Sequence, residues 1–468
     1  MLRKITLAAN HPQRLYLLAA ATLHLCLAIG LYLVGRLALL PEIIDRDGMI
    51  KAFGDSYLYQ KEAIQLVDKL ASEGFRSWLT TPAWLHVKLD SIQFALYSPL
   101  VGFSVLSVEP LNLLYYLLIL IFIYKLGENA FDAETGLVAA GAVALWPSFL
   151  LHTLQLLKDS LFIATTLAFL LVVSGWLTKT YGWRRGLVTG FAGGVLIVLM
   201  ALVRPEFKVM VLVVVSLALV LLFIRQLLAK RFLAGNLLSA VVVVLLLLPS
   251  TYLGVLRFRG VKRVAPASSA CTTIVGMPQP TGAENMRTGA GFSGEKEMGW
   301  WVFLRSRADS AALRVGAIRQ NFVVGYPDSN STIDAHVAFE DAADALQYLP
   351  RACVIGFLAP FPDTWLANSP RVGITGKLIS GAEMLVMYVV QILAVIGLFQ
   401  SRRSLSAWLL FLIAAIGVTT LGMVVANAGA LYRQRYVFWF LFIILGARGL
   451  LYVSASLRQR RQAAVSGS

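Results

Sequence analysis

About ten apolar runs of roughly twenty residues divide this chain, and no other feature constrains its fold as strongly. Each run is long enough to cross the hydrocarbon layer of a bilayer as a helix. Lipid offers the backbone no hydrogen-bond partner, so a helix is the form such a run must take. The expected fold is therefore an all-α integral membrane protein with about ten transmembrane helices. The runs lie at about 15–40, 109–126, a third ending near Trp146-Pro147, a fourth reaching 177, then 186–203, a sixth ending by Arg225, 234–254, 378–399, 405–425 and 436–453. Composition agrees: 14% of the residues are charged, against about a quarter in soluble domains. No internal repeat accompanies the runs, which weighs against inverted-repeat transporters.

The formal charge of +16 suggests nucleic acid until its distribution is read. Arg3, Lys4 and Arg14 precede the first run, Lys179, Arg184 and Arg185 follow the fourth, and Arg225, Lys230 and Arg231 follow the sixth. Arg402-Arg403 and Arg458, Arg460 and Arg461 continue the pattern. Basic residues clustered in alternate short loops set topology, with the basic side cytoplasmic. Both termini are then expected in the cytoplasm, and no nucleic-acid partner is implied. Cys26 lies in the first run, while Cys271 and Cys353 share one outer segment and form a candidate disulfide pair.

Three regions follow from this reading: a transmembrane module over 1–254, an extracytoplasmic insertion of mixed character over 255–375, and C-terminal helices with a basic tail over 376–468. Within the first, the outer loop 41–108 contains Asp45, Asp47 and Asp55, followed by Trp78, Trp84 and His86. Tyr59, Ala63, Leu66, Val67 and Leu70 recur at helical spacing and predict an amphipathic helix at the membrane surface. Residues 91–108, broken by Tyr97-Ser98-Pro99, read as an interfacial or re-entrant piece.

Four separate outer turns then offer charge at similar depth: Asp55, Lys158-Asp159, Arg204 with Glu206, and Arg433 with Arg435. Ionisable groups at that depth are costly unless paired, hydrated or functional. Guanidinium groups fork onto phosphate oxygens, and an aspartate can deprotonate a hydroxyl. Each residue also has a plainer reading. Asp55 and Asp159 can stabilise helix starts, and the basic residues can snorkel to head groups. His86 and His152 lack the spacing of a histidine metal pair and read as interfacial hydrogen-bonders.

Gly54-Asp55-Ser56-Tyr57-Leu58-Tyr59 resembles the acidic first-loop motif of the polytopic glycosyltransferases with the GT-C fold. Trp146-Pro147-Ser148, His152 and Leu157-Lys158-Asp159-Ser160 are similar to their second motif. Leu202-Val203-Arg204-Pro205 and Asn427-Ala428-Gly429 with Tyr432-Arg433-Gln434-Arg435 resemble pieces of bacterial relatives of the dolichyl-phosphate-mannose protein mannosyltransferases and the aminoarabinose transferases. The resemblance covers about 15–210 well and the C-terminal runs loosely. It implies a bacterial inner-membrane enzyme that transfers a sugar, with inversion, from a polyprenyl-phosphate donor on the extracytoplasmic face. Asp55 and Asp159 would be the catalytic acids, and Arg204, Arg433, Arg435 and Lys158 would hold the donor phosphate. Tyr57, Tyr59, His152 and Glu206 would position the acceptor. If a cation takes part, oxygen ligands at Asp55 and Asp159 would favour Mg²⁺ or Mn²⁺. The first motif carries Asp-Ser where the protein mannosyltransferases have Asp-Glu, so the acceptor stays open among glycan, lipid and protein. A polymerase or ligase using a polyprenyl-pyrophosphate oligosaccharide is the alternative, and a lipid or glycan flippase the third reading.

Overall fold

The computed structural model describes residues 12–258, 300–325, 331–366 and 373–466. In order, the helices are α1 (Pro12–Arg36), α2 (Gly54–Thr80), α3 (Leu85–Val101), α4 (Val105–Ala130), α5 (Ala133–Ala144), α6 (Pro147–Thr153), α7 (Asp159–Thr178) and α8 (Trp183–Val203). After a 3₁₀ turn at Pro205–Phe207 come α9 (Lys208–Ala229), α10 (Ala234–Phe258), α11 (Trp300–Gly325), α12 (Ala342–Leu358), α13 (Gly373–Gln400), α14 (Leu405–Val424), α15 (Ala428–Gln434) and α16 (Tyr436–Ser466). Among the described residues, extended pairing is limited to two isolated bridges, Ile44 with Ile50 and Thr332 with Asn427.

The all-α expectation holds, and the helices fall where the apolar runs lie. Among the described residues, eight are long and apolar enough to span a membrane, or nine if α5 and α6 count as one broken span. The expected run at about 234–254 falls on α10, which is helical over Ala234–Phe258. The break between α5 and α6 bends the chain by 71°. Its cause is local: the residue before a proline is pushed out of the helical region, so Trp146 turns and Pro147 opens the next helix. The bend carries Ser148 and His152 into the bundle, where both are buried.

Close helix contact relies on missing side chains. A Cβ on Gly186 of α8 would stand 2.2 Å from the Gly235 carbonyl oxygen of α10, so only glycine permits this approach. Gly356 of α12 and Gly422 of α14 do the same for each other's helix, at 2.2 Å from Val418 O and 2.1 Å from Ala352 O. The described part of the insertion holds α11, α12 and the non-helical stretch 331–341, and α12 packs along the membrane-type helix α14. Cys271 lies outside the described residues. Cys353 is half-buried, with its sulfur 3.5 Å from Thr419 Oγ1.

In the first loop, Tyr59, Ala63 and Leu66 of α2 are buried in a small core with Val87 and Phe94 of α3. The amphipathic stripe therefore covers a neighbouring helix. Gly74, at φ 83°, breaks α2 in a conformation that side chains disfavour. The break returns Trp78 to the core, where its Nε1 donates to Ser91 Oγ at 2.9 Å. Residues 91–108 form the end of α3, a tight turn, and the start of α4.

Candidate active site

Two carboxylate–guanidinium pairs meet at one end of the bundle. Asp55, in the first turn of α2, accepts from Arg433 Nη2 at 2.7 Å. Phe53 is the N-cap of that helix, without a side-chain cap bond, so Asp55 is not a cap. Asp159, the first residue of α7, accepts from Arg204 Nη2, and both side chains are almost fully buried. Lys158 N-caps α7 without a side-chain bond, so Asp159 is no cap either.

Tyr59 lies between the pairs. Burial raises its pKa first, the charges of Asp55 and Asp159 raise it further, and Arg204 and Arg433 oppose them. Lys158 belongs to the same group. Its Nζ is 3.9 Å from Glu206 Oε1 and 5.5 Å from the Trp84 ring centre. Burial lowers its pKa, with Arg204 adding to the effect and Glu206, Asp159 and Asp55 countering it. Arg204 rests over the rings of Phe162 and Phe207 at 5.3 and 5.6 Å. Its Nε is buried with no partner among the described residues. Beside it opens an apolar groove lined by Ile197, Met200, Phe207, Val211 and Leu247, with Arg204 and Lys208 supplying the charge.

Asp55, Asp159, Lys158, Arg204, Arg433, Tyr59, His152 and Glu206 are thus brought into one neighbourhood. Two expected members are not. Tyr57 faces Asp45 and Asp47, whose charges add to burial in raising its pKa. Arg435 is wholly buried and belongs to a different environment. Its guanidinium stacks 3.9 Å from the Trp439 ring centre and donates to Gly356 O at 3.3 Å and Met384 S at 3.2 Å. The cause is helical geometry. Residues two apart differ by about 200° around a helix axis, so Arg433 and Arg435 cannot share a face.

Two residues of this region were not expected in the site. His86, expected as an interfacial hydrogen-bonder, is 3% exposed, packs edge-on against Tyr59 at 4.5 Å, and among the described residues neither ring nitrogen has a hydrogen-bond partner. Burial, then Lys158, with Arg204 also contributing, pushes its pKa down to about 3, so it is a neutral imidazole. Glu383 of α13 is buried and accepts from Ser148 N at 2.7 Å, Ser148 Oγ at 2.6 Å and the Tyr432 hydroxyl. A single acid inside an apolar run was the signal that could have found it.

Among the described residues no three His, Cys, Asp or Glu side chains gather at one point. Asp55 and Asp159 each face a guanidinium instead, so the donor set does not fit Mg²⁺ or Mn²⁺.

No protein-family model matches the chain, and neither does any curated protein sequence. Among solved structures it is similar to the archaeal oligosaccharyltransferase AglB from Archaeoglobus fulgidus, in complex with an inhibitory peptide and a dolichol-phosphate. That match has 13% identity and a TM-score of 0.47, over 97% of this chain and 52% of the other. It is also similar to ArnT from Cupriavidus metallidurans bound to undecaprenyl phosphate, at 13% identity and a TM-score of 0.34, over 84% of this chain and 73% of the other. The chain spans about half the length of AglB. At this identity no residue role passes from either protein to this one.

Proposed function

We propose that this protein is an inverting membrane glycosyltransferase that takes a sugar from a polyprenyl-phosphate donor. The observation that carries the reading is Arg204. One nitrogen of its guanidinium is held by Asp159, the buried Nε has no partner among the described residues, and the residue lines a small apolar cleft. A guanidinium held in place beside apolar side chains suits the phosphate of a lipid. Asp159 then acts as the positioning residue for Arg204.

Asp55 takes the role of base. In the resting pair its carboxylate is engaged by Arg433 and not free to meet an acceptor hydroxyl. A donor phosphate competes for Arg433 and frees Asp55 when substrate is present. The freed carboxylate takes the acceptor hydroxyl proton as the oxygen attacks the anomeric carbon. The bond from that carbon to the phosphate oxygen breaks, and the charge growing on the phosphate meets Arg204, Arg433 and Lys158. Tyr59, lodged between the pairs, and Glu206, on Lys158, are positioning groups. Glycan, lipid and protein all remain acceptor classes for this chemistry.

The basic loops support a bacterial inner membrane location with both termini in the cytoplasm and the site on the extracytoplasmic face. We also retain the division at 254 and 375. AglB was solved with a dolichol-phosphate and ArnT with undecaprenyl phosphate, ligands of the class proposed here. The test is product analysis with purified protein and lipid-linked sugars. Release of polyprenyl monophosphate from a monosaccharide donor is expected. Release of polyprenyl pyrophosphate from an oligosaccharide donor would replace this reading with a polymerase or ligase, and no release from either would end it.

A further inference from the structure

A chain of hydrogen bonds behind the site ends on His152, and its direction can be read. Glu383 accepts from Ser148 N, Ser148 Oγ and the Tyr432 hydroxyl, which gives the carboxylate an acceptor-only role. Since Ser148 Oγ–H points to Glu383, the Tyr436 hydroxyl donates to Ser148 Oγ, at 2.8 Å. The oxygen of Tyr436 is then an acceptor towards His152 Nδ1, 3.3 Å away. The Ser148 carbonyl oxygen also contacts Nδ1, and a carbonyl can only accept. Both contacts require the hydrogen on Nδ1. The other nitrogen, Nε2, is therefore a bare acceptor in the neutral ring.

That nitrogen is unusual. His152 is 7% exposed, and Nε2 is buried with no partner among the described residues. The ring packs against Phe53 at 4.5 Å and Tyr436 at 5.3 Å, which fixes its plane. It lies within electrostatic reach of Arg433 and Asp159, one member of each acid–guanidinium pair. A buried acceptor without a donor is costly unless a ligand supplies one. Phosphate oxygens at neutral pH cannot, since they are acceptors themselves. A hydroxyl can.

We propose that His152 Nε2 accepts a hydrogen bond from a sugar hydroxyl, with Glu383, Ser148 and Tyr436 holding the ring in the tautomer this requires. The hydroxyl belongs either to the transferred sugar, in which case His152 discriminates the sugar-bearing lipid from the bare lipid phosphate, or to the acceptor. This rests on the glycosyltransferase reading.

Two variants separate the ring's two sides. His152→Asn keeps a donor near Nδ1 for the Ser148 carbonyl and removes the acceptor at Nε2. His152→Gln places an amide oxygen near Nε2. Native mass spectrometry of protein purified from membranes reads bare polyprenyl phosphate and its sugar-bearing form, and turnover is assayed alongside. In His152→Asn the ratio of sugar-bearing to bare lipid is expected to fall about 3- to 10-fold, with His152→Gln restoring most of it. An unchanged ratio with turnover reduced to the same degree, and recovered by Gln, assigns the hydroxyl to the acceptor and also supports the proposal. An unchanged ratio with wild-type turnover overturns it, as does Gln behaving no better than Asn. Wild-type protein that binds neither lipid form would instead overturn the functional reading, and the role of His152 with it.

Discussion

The two acid–guanidinium pairs are chemically alike and differ in their surroundings. Asp159 and Arg204 have side chains 7% and 4% exposed, whereas Asp55 and Arg433 are 39% and 20% exposed. A pair hidden from water is hard to break, because either partner alone is left as an uncompensated buried charge. An accessible pair is worth little and can exchange partners. The buried pair therefore serves as a fixed mount for Arg204, and the accessible pair as the part that can respond to substrate. A third acid completes the comparison. Asp90, in α3, is 7% exposed and forms no ion pair among the described residues. Burial pushes its pKa up to about 7.

Substitution should separate these acids. Asp159→Asn should cost about 3–5 kcal/mol of stability, since it strands the Arg204 charge. It should show as a large fall in the melting temperature of purified protein, with activity lost as a consequence. A cap at the start of α7 would tolerate asparagine, so near-normal melting would make the buried pair dispensable and remove the contrast. Asp55→Asn should do the opposite: turnover falls by about 10²–10⁴-fold while melting temperature and donor binding stay near wild type. Full turnover by folded Asp55→Asn would move the base elsewhere.

Asp90→Asn should stabilise the protein, and only on one side of the pH scale. Its folded pKa, about 7, is raised above the ordinary 3.8, so the unfolded chain loses this proton more readily. Stability is therefore lost as pH rises between these values and stays lower above 7. The variant should gain about 1–3 kcal/mol at pH 8 and almost nothing at pH 4, measured by melting at both. A loss at pH 8 would mean that Asp90 is ionised and paired. Glu206→Gln should be the mildest change, about 0.5 kcal/mol or less, because the Lys158–Glu206 pair is long and Glu206 is half exposed.

What could be read before the structure follows the range of each interaction. Apolar runs are local properties, so the helices were visible in sequence; Trp146-Pro147 was read as the end of a span, and the short buried helix after it was not expected. The pairing was not visible either: Asp55 and Arg433 stand 378 positions apart, and no spacing rule joins them. Their shared membrane depth suggested only that they meet. Arg435 was misplaced because depth was considered without rotation about the helix axis. Glu383 and its hydroxyl partners stayed hidden because each looks like an isolated polar residue in an apolar helix, and only packing shows that they are continuous with His152.

The central claim is that donor phosphate and Asp55 compete for Arg433. The most direct measurement is a structure of the protein with undecaprenyl phosphate bound. The prediction is a phosphate within hydrogen-bond distance of both Arg204 Nε and Arg433, with Asp55 released from the guanidinium and Asp159 still holding Arg204. A phosphate bound elsewhere, with the Asp55–Arg433 pair intact, would contradict the account.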